Sequence, residues 1–322
     1  MYDLDILNPT SNTIEPTSEN PPPYSPGKRQ TRPLVYRSLI IWFISSTSLI
    51  LLLLLFARYG WPGSPDPCTT SKPDNTCWCE AYDSSEIGNP GIRQAVNTWS
   101  NLYAIITSFI VMMVVCMDRR KAGNLAYGQN NLLRGSDTYV ADLYVFVVLF
   151  LGLGSMWFHA SLTTWGGILD AISIYAFMAF LLLFSVRRIH PSPTIFWTGY
   201  WVSVAFLTIV HAIAQPRFEE TSMLLVILTL LVYIVLEAQV WRAGRTQPGN
   251  PGFAFWWCAF ICGVVAAIFW GLSQTGKVLC DPKSPFQPHG LVWHPLAGVA
   301  SVFLFFYWRA AEKVMLELGS NS

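Results

Sequence analysis

Between Gly152 and Asp170 the chain reads GLGSMWFHASLTTWGGILD, which places Ser155, His159 and Asp170 in an otherwise apolar run. Polar side chains surrounded by hydrocarbon are unfavourable unless paired or ligated. These residues are therefore either internal hydrogen-bonding groups of a helix bundle or the chemistry itself. Ser155 and His159 are four apart and share a helix face. Far along the chain, PHGLVWHPLAG supplies His289 and His294. A catalytic zinc ion takes three protein ligands, imidazole among the favoured ones, and keeps a fourth position for water. Zinc brings the pKa of that water to near 7. Asp170 has the chemistry to take its proton and pass it to a leaving group, and Ser155 to donate to a developing oxyanion. The structural alternative is an interhelical contact, or, for Ser155, a bond to its own preceding carbonyl. His159, Asp170 and His294 together favour function, because ionisable groups inside membranes mark sites. His211 is a rival ligand, and His190, after Arg187 and Arg188, reads as a headgroup-level residue.

The elements that must position these residues follow from composition. Of 322 residues, 52% are hydrophobic and 12% charged, against about 25% charged in soluble domains. Fourteen Trp, 13 Tyr and 20 Phe suit membrane interfaces, and a net charge of +1 argues against a nucleic-acid partner. Runs of about 20 apolar residues cross a bilayer as helices. Eight are expected, at 37–57, 97–117, 139–161, 167–186, 195–214, 221–241, 253–273 and 291–311, the last beginning near Leu291 with Pro295 in its first turn.

Lys and Arg then set orientation. The tail, the loop after the second span, Arg187 and Arg188, Arg242 and Arg245, and Arg309 and Lys313 hold fourteen of the twenty, which puts both termini in the cytosol. His159, Asp170, His289 and His294 then converge at the exterior or lumenal ends of their helices. Cys68, Cys77, Cys79 and Cys280 fall on the same side, where disulfides persist. At least one bridge is expected between the first exterior loop and the loop before the eighth span, with Cys79 and Cys280 the candidate pair. No CxxC pair of the zinc-ribbon kind is present. The first 35 residues, rich in Pro, Ser, Thr and Asn, read as a disordered tail. Within it PPPY, Pro21 to Tyr24, has the form of a ligand for a WW domain, although a plain proline-rich linker is the preferred reading.

Three segments carry a family likeness: WCEAYDSSEIGNPGIRQAVNTWSNLYAII (Trp78 to Ile106), GLGSMWFHASLTTWGGILD, and HGLVWHPLAG. In this order they resemble the alkaline ceramidase family, seven-helix membrane hydrolases in a wider group that includes the adiponectin receptors. The resemblance implies an all-α integral membrane protein with a seven-transmembrane-helix ceramidase-like core and one additional N-terminal transmembrane helix. Its layout would be a cytosolic tail at 1–35, the added helix at 36–58, an exterior or lumenal loop at 59–96, the other seven helices at 97–312 and a short cytosolic tail at 313–322. It implies a zinc-dependent amidase that hydrolyses ceramide, or phytoceramide or dihydroceramide, to a sphingoid base and a fatty acid. Zn2+ would sit on His159, His289 and His294, with Ser155 and Asp170 catalytic and Asp170 the general base. The setting would be the endoplasmic reticulum or Golgi, with the site toward the lumen. The alternatives are a lipid receptor or sensor with a structural zinc site, and a related hydrolase of lipid esters.

Two departures from the family pattern stand out. Its final histidines are usually four apart, whereas His289 and His294 are five apart, roughly 140° around an ideal helix. A bulge, or ligation by His289 from the loop, would be needed. Animal members also bind Ca2+ near the WCE segment; Glu80 survives here as a candidate ligand, but Cys77, Tyr82 and Gln94 stand where those members carry oxygen ligands. Calcium needs six to eight oxygens, so a tight calcium site is not expected, and Asn97 and Ser100 read as helix-start and packing residues.

Overall fold

Each apolar run becomes a helix because a helix satisfies its backbone groups internally, which hydrocarbon requires. The computed structural model describes residues 33–70, 78–122, 139–190, 192–214, 221–242 and 252–320; the PPPY motif and Cys77 lie outside them. In chain order the helices are α1 (Pro33–Tyr59), α2 (Pro67–Thr70), α3 (Ala95–Ser100), α4 (Tyr103–Ala122), α5 (Val140–Ser161), α6 (Thr164–Ile189), α7 (Pro193–Ala214), α8 (Thr221–Arg242), α9 (Gly252–Leu272) and α10 (His294–Ser320). Among the described residues eight segments are long and apolar enough to cross a membrane, α3 with α4 forming one of them. The protein is an all-α, multi-pass integral membrane protein.

Burial identifies the centre of the bundle. In α5, 72% of the most apolar stretch is buried, against 17% for α1 and for α7. The α5–α6 hairpin is thus the axis, flanked by α4, α7, α8 and α10. Its middle is an aromatic core in which Tyr144, Phe180, Phe184 and Trp308 rings meet at centroid distances of 4.7 to 5.8 Å, and Tyr144 donates to the Ser301 carbonyl at 2.7 Å. At the end of the bundle away from His159, charges are paired. Arg188 bonds both Glu237 oxygens at 2.9 Å, Tyr307 donates to Glu237 at 2.7 Å, Arg119 holds Asp142, and Arg309 holds Asp118. Arg187 and Arg188, counted with the cytosolic charges in the sequence, are buried.

Several boundaries differ from the sequence expectation. Thr163 is extended and its side chain accepts from the Gly166 N–H, which starts α6 at Thr164 rather than 167. Asp170 therefore stands in the second turn. The second span begins at Ala95 and breaks at Asn101–Leu102. Both Ser100 Oγ, at 3.0 Å, and Asn101 Nδ2, at 2.8 Å, take the Asn97 carbonyl, and such side-chain competition interrupts a helix ladder. The eighth span starts at His289 with a π turn, His289–Trp293. Finally, α10 runs on to Ser320, through residues expected as a tail.

Between α1 and α2 the chain lies across the α5–α6 turn. The Asp66 N–H bonds the Leu162 carbonyl at 2.9 Å, the Thr164 N–H bonds the Ser64 carbonyl at 3.0 Å, and Pro65 bridges Thr163 antiparallel. A disulfide joins Cys79 to Cys280, tying the loop between α2 and α3 to the loop that leads into α10.

Candidate metal centre

The site is assembled where α5 ends, α6 begins and the π turn enters α10. Gly154 in α5 packs directly on α6: a β-carbon there would meet the Leu169 carbonyl at 2.8 Å and the Ser173 side chain at 2.9 Å. That close approach brings Ser155, on α5, up against α6, the helix that carries Asp170. Asn101 Nδ2 donates to Ser155 Oγ at 3.4 Å, which leaves the Ser155 proton free for Asp170.

The π turn answers the five-residue spacing. The His294 N–H bonds the His289 carbonyl, so one extra residue is taken up in a single turn and both imidazoles return to one side. Gly290 permits it, because a β-carbon there would lie 2.8 Å from Asn97 Oδ1 and 3.0 Å from Ser100 Oγ. Ring centroids are then 4.7 Å apart for His289 and His294, 5.2 Å for His159 and His289, and 5.6 Å for His159 and His294. One nitrogen from each lies within 4.8 Å of the others, and all three residues are buried. His211 is elsewhere, edge-on to Tyr175 at 5.7 Å. His190 caps the far end of α6.

Hydrogen bonds fix which nitrogens point inward. Gln94 Nε2 donates to the Glu80 carbonyl at 2.8 Å, so its Oε1 faces His159 Nδ1 at 2.7 Å as an acceptor. His159 therefore carries its proton on Nδ1 and presents Nε2 to the cluster. Ser100 Oγ donates to the Asn97 carbonyl and accepts from His294 Nδ1 at 2.7 Å. That leaves His294 Nε2 buried without a partner, as is His289 Nδ1. Buried orphaned nitrogens are uncommon. Three converging imidazoles, two of them oriented by an outer hydrogen bond, fit a zinc ion. Neither orienting residue was expected: Gln94 read as a weakened calcium position and Ser100 as packing. The Ser100 position four residues into the NTWSNL segment, facing a histidine nearly 200 residues away, carries no local signal.

The roof of the site is the WCE segment. Trp78 and Cys79 have left-handed backbones, φ 56° and 68°, strained for non-glycine residues. This turn lays the Trp78 ring on His289 at 5.0 Å. Glu80 then spends both carboxylate oxygens on the Val96 and Asn97 N–H groups, each at 2.8 Å, capping α3. Burial pushes the Glu80 carboxyl up while these N–H groups pull it down.

A family model described as Ceramidase matches residues 69–318. The chain belongs to the ceramidase family. Membership makes it a hydrolase of the amide class, acting within lipid metabolism. A curated relative, named alkaline ceramidase, from Drosophila melanogaster, is 23% identical over 247 residues, covering 71% of this chain and 76% of the relative. The ceramidase match takes in all of the residues just assembled, His159, His289, His294, Ser155, Asp170, Gln94 and Ser100. It leaves out α1 and residues 60–68, the stretch that crosses the α5–α6 turn.

Proposed function

We propose that the chain is a zinc-dependent intramembrane amidase that hydrolyses ceramide to a sphingoid base and a free fatty acid. The observation that carries this reading is the buried cluster of His159, His289 and His294, with His289 Nδ1 and His294 Nε2 unpartnered. A zinc ion on the three histidines supplies a Lewis acid that polarises the amide carbonyl and makes water acidic enough to attack at neutral pH. Asp170 takes the proton of the attacking water as the C–O bond forms. Ser155 donates its hydroxyl to the oxygen that gains negative charge, and Asn101 keeps that hydroxyl aimed. Asp170 returns the proton to the nitrogen as the C–N bond breaks, releasing the amine and the carboxylic acid. Gln94 and Ser100 hold two imidazoles in the tautomer that faces the metal. The apolar walls of the helices take the acyl chain.

In this proposal both termini lie in the cytosol, the site faces the lumen of the endoplasmic reticulum or Golgi, and zinc rather than calcium is the required metal. The engagement of both Glu80 oxygens by backbone donors supports the last point. Treatment of the purified full-length protein with a strong zinc chelator abolishes fatty-acid release from ceramide, and added Zn2+, but not Ca2+, restores it. Release that persists in the chelated protein refutes the proposal.

A further inference from the structure

One buried carboxyl near the site has no part in the steps above. Asp66 is 4% exposed, and its backbone is fixed on both sides. Its N–H bonds the Leu162 carbonyl at 2.9 Å, and its carbonyl accepts from the Thr69 N–H at 2.9 Å and from Thr69 Oγ1 at 2.7 Å. Of its carboxylate oxygens, Oδ1 accepts from the Cys68 N–H at 3.0 Å. Oδ2 has no hydrogen-bond partner among the described residues and rests against Gly167, where a β-carbon would collide with it.

That contact gives Asp66 its address. Gly167 precedes Asp170 by three residues, so the two positions are neighbours on one face of α6, roughly 4.5 Å apart along its axis. The Asp66 carboxylate stands on the exterior side of Asp170. Around it, Phe158 and Leu162 pack with Cys68, Trp78 and Tyr82, and Trp78 is the ring that covers His289. Burial pushes the Asp66 carboxyl up to about 6, with the Cys68 N–H acting against the shift. The carboxylate of so buried a residue gains from a further donor at Oδ2. Ceramide carries its hydroxyl groups on the carbons that flank the amide-bearing carbon, and hydrolysis leaves an ammonium at that carbon. Both are donors of the kind Oδ2 lacks, and both belong on the exterior side of the amide.

We propose that Asp66 is a further substrate-binding residue, whose free carboxylate oxygen receives the hydroxylated amine head of the lipid, first as substrate and then as the long-chain amino alcohol released. This rests on the amidase reading above. It assigns a function to the segment between α1 and α2, which precedes the family-matched residues 69–318 and brings Asp66 to the site.

The test measures binding of sphingosine, with palmitic acid as the control, to the full-length protein in detergent micelles, beside ceramide hydrolysis and bound zinc. Asp66→Asn keeps the shape and removes the charge. The expected result is at least a tenfold loss of sphingosine affinity, unchanged palmitic acid binding, unchanged zinc content, and a loss of turnover that falls on KM rather than on kcat. Gly167→Ala, which displaces Oδ2, should weaken sphingosine binding in the same direction. Equal sphingosine binding by wild type and Asp66→Asn overturns the proposal, even if the wild type hydrolyses ceramide. Loss of zinc together with sphingosine binding also overturns it, in favour of a structural role. Asp66-dependent sphingosine binding by a protein that does not hydrolyse ceramide sustains this proposal and refutes the amidase reading.

Discussion

In the proposed zinc site, Gln94 and Ser100 orient histidines without being ligands themselves. Each fixes the protonated nitrogen of one histidine, at 2.7 Å, and the inward nitrogen follows from that choice. Loss of an outer hydrogen bond of this kind typically lowers metal affinity 10- to 100-fold. Gln94→Leu should therefore weaken zinc binding by about that factor in a chelator-competition titration, with helix content by circular dichroism unchanged. Equal affinity for Gln94→Leu and wild type would show that the bond to His159 orients nothing. The histidines themselves were legible in the sequence, because imidazoles in an apolar chain are few and their spans bring them to one depth. Their orienting partners were not, since glutamine and serine are common at helix starts and the bond joins residues 65 apart for Gln94 and 194 apart for Ser100.

At the scale of elements, the π turn from His289 to Trp293 reconciles a five-residue spacing with a single site. The sequence showed the problem, an angle of roughly 140° on an ideal helix, and left open whether a bulge or the preceding loop solves it. What decides the matter is Gly290, whose missing side chain lets the turn lie against α3, because a β-carbon there would come 2.8 Å from Asn97 Oδ1. Gly290→Ala is expected to force α3 and the π turn apart, at a cost of about 1–3 kcal/mol and with weaker zinc binding. Thermal unfolding of the purified protein with and without zinc checks both, and a variant with wild-type values in each would contradict the packing account. The break between α3 and α4 was invisible to hydropathy for a different reason. Hydropathy reads the apolar surface of Leu102 and its neighbours, whereas the break comes from Ser100 and Asn101 occupying the Asn97 carbonyl.

Across the whole molecule, the eight membrane-crossing segments were legible because bilayer thickness imposes a length and a composition that soluble packing does not. Partners between distant helices were not. Arg188, counted with the cytosolic charges, is buried against Glu237, with Tyr307 completing the cluster across α6, α8 and α10. Removing one member of a buried pair leaves an uncompensated charge and costs about 3–5 kcal/mol. Arg188→Met should therefore lower the thermal midpoint sharply, while Arg188→Met combined with Glu237→Leu recovers most of the loss. If the double variant is as unstable as the single one, the pair is not a self-contained unit. At the other end, the Cys79–Cys280 disulfide closes a separation of 201 residues and ties the roof over His289 to the loop that delivers His289. The aromatic core of α5, α6 and α10 lies between the two ends, and the disulfide end also holds an ion pair, Arg93 with Glu86.

The central claim is that three histidines, from α5 and from the π turn that enters α10, hold one catalytic zinc. The most direct measurement is zinc per chain, quantified on the same preparations whose fatty-acid release from ceramide is followed, for wild type and for His294→Ala. The account predicts one zinc per chain with hydrolysis in the wild type, and loss of both in the variant. A His294→Ala protein that still hydrolyses ceramide, or a wild type that hydrolyses it without bound zinc, would contradict it.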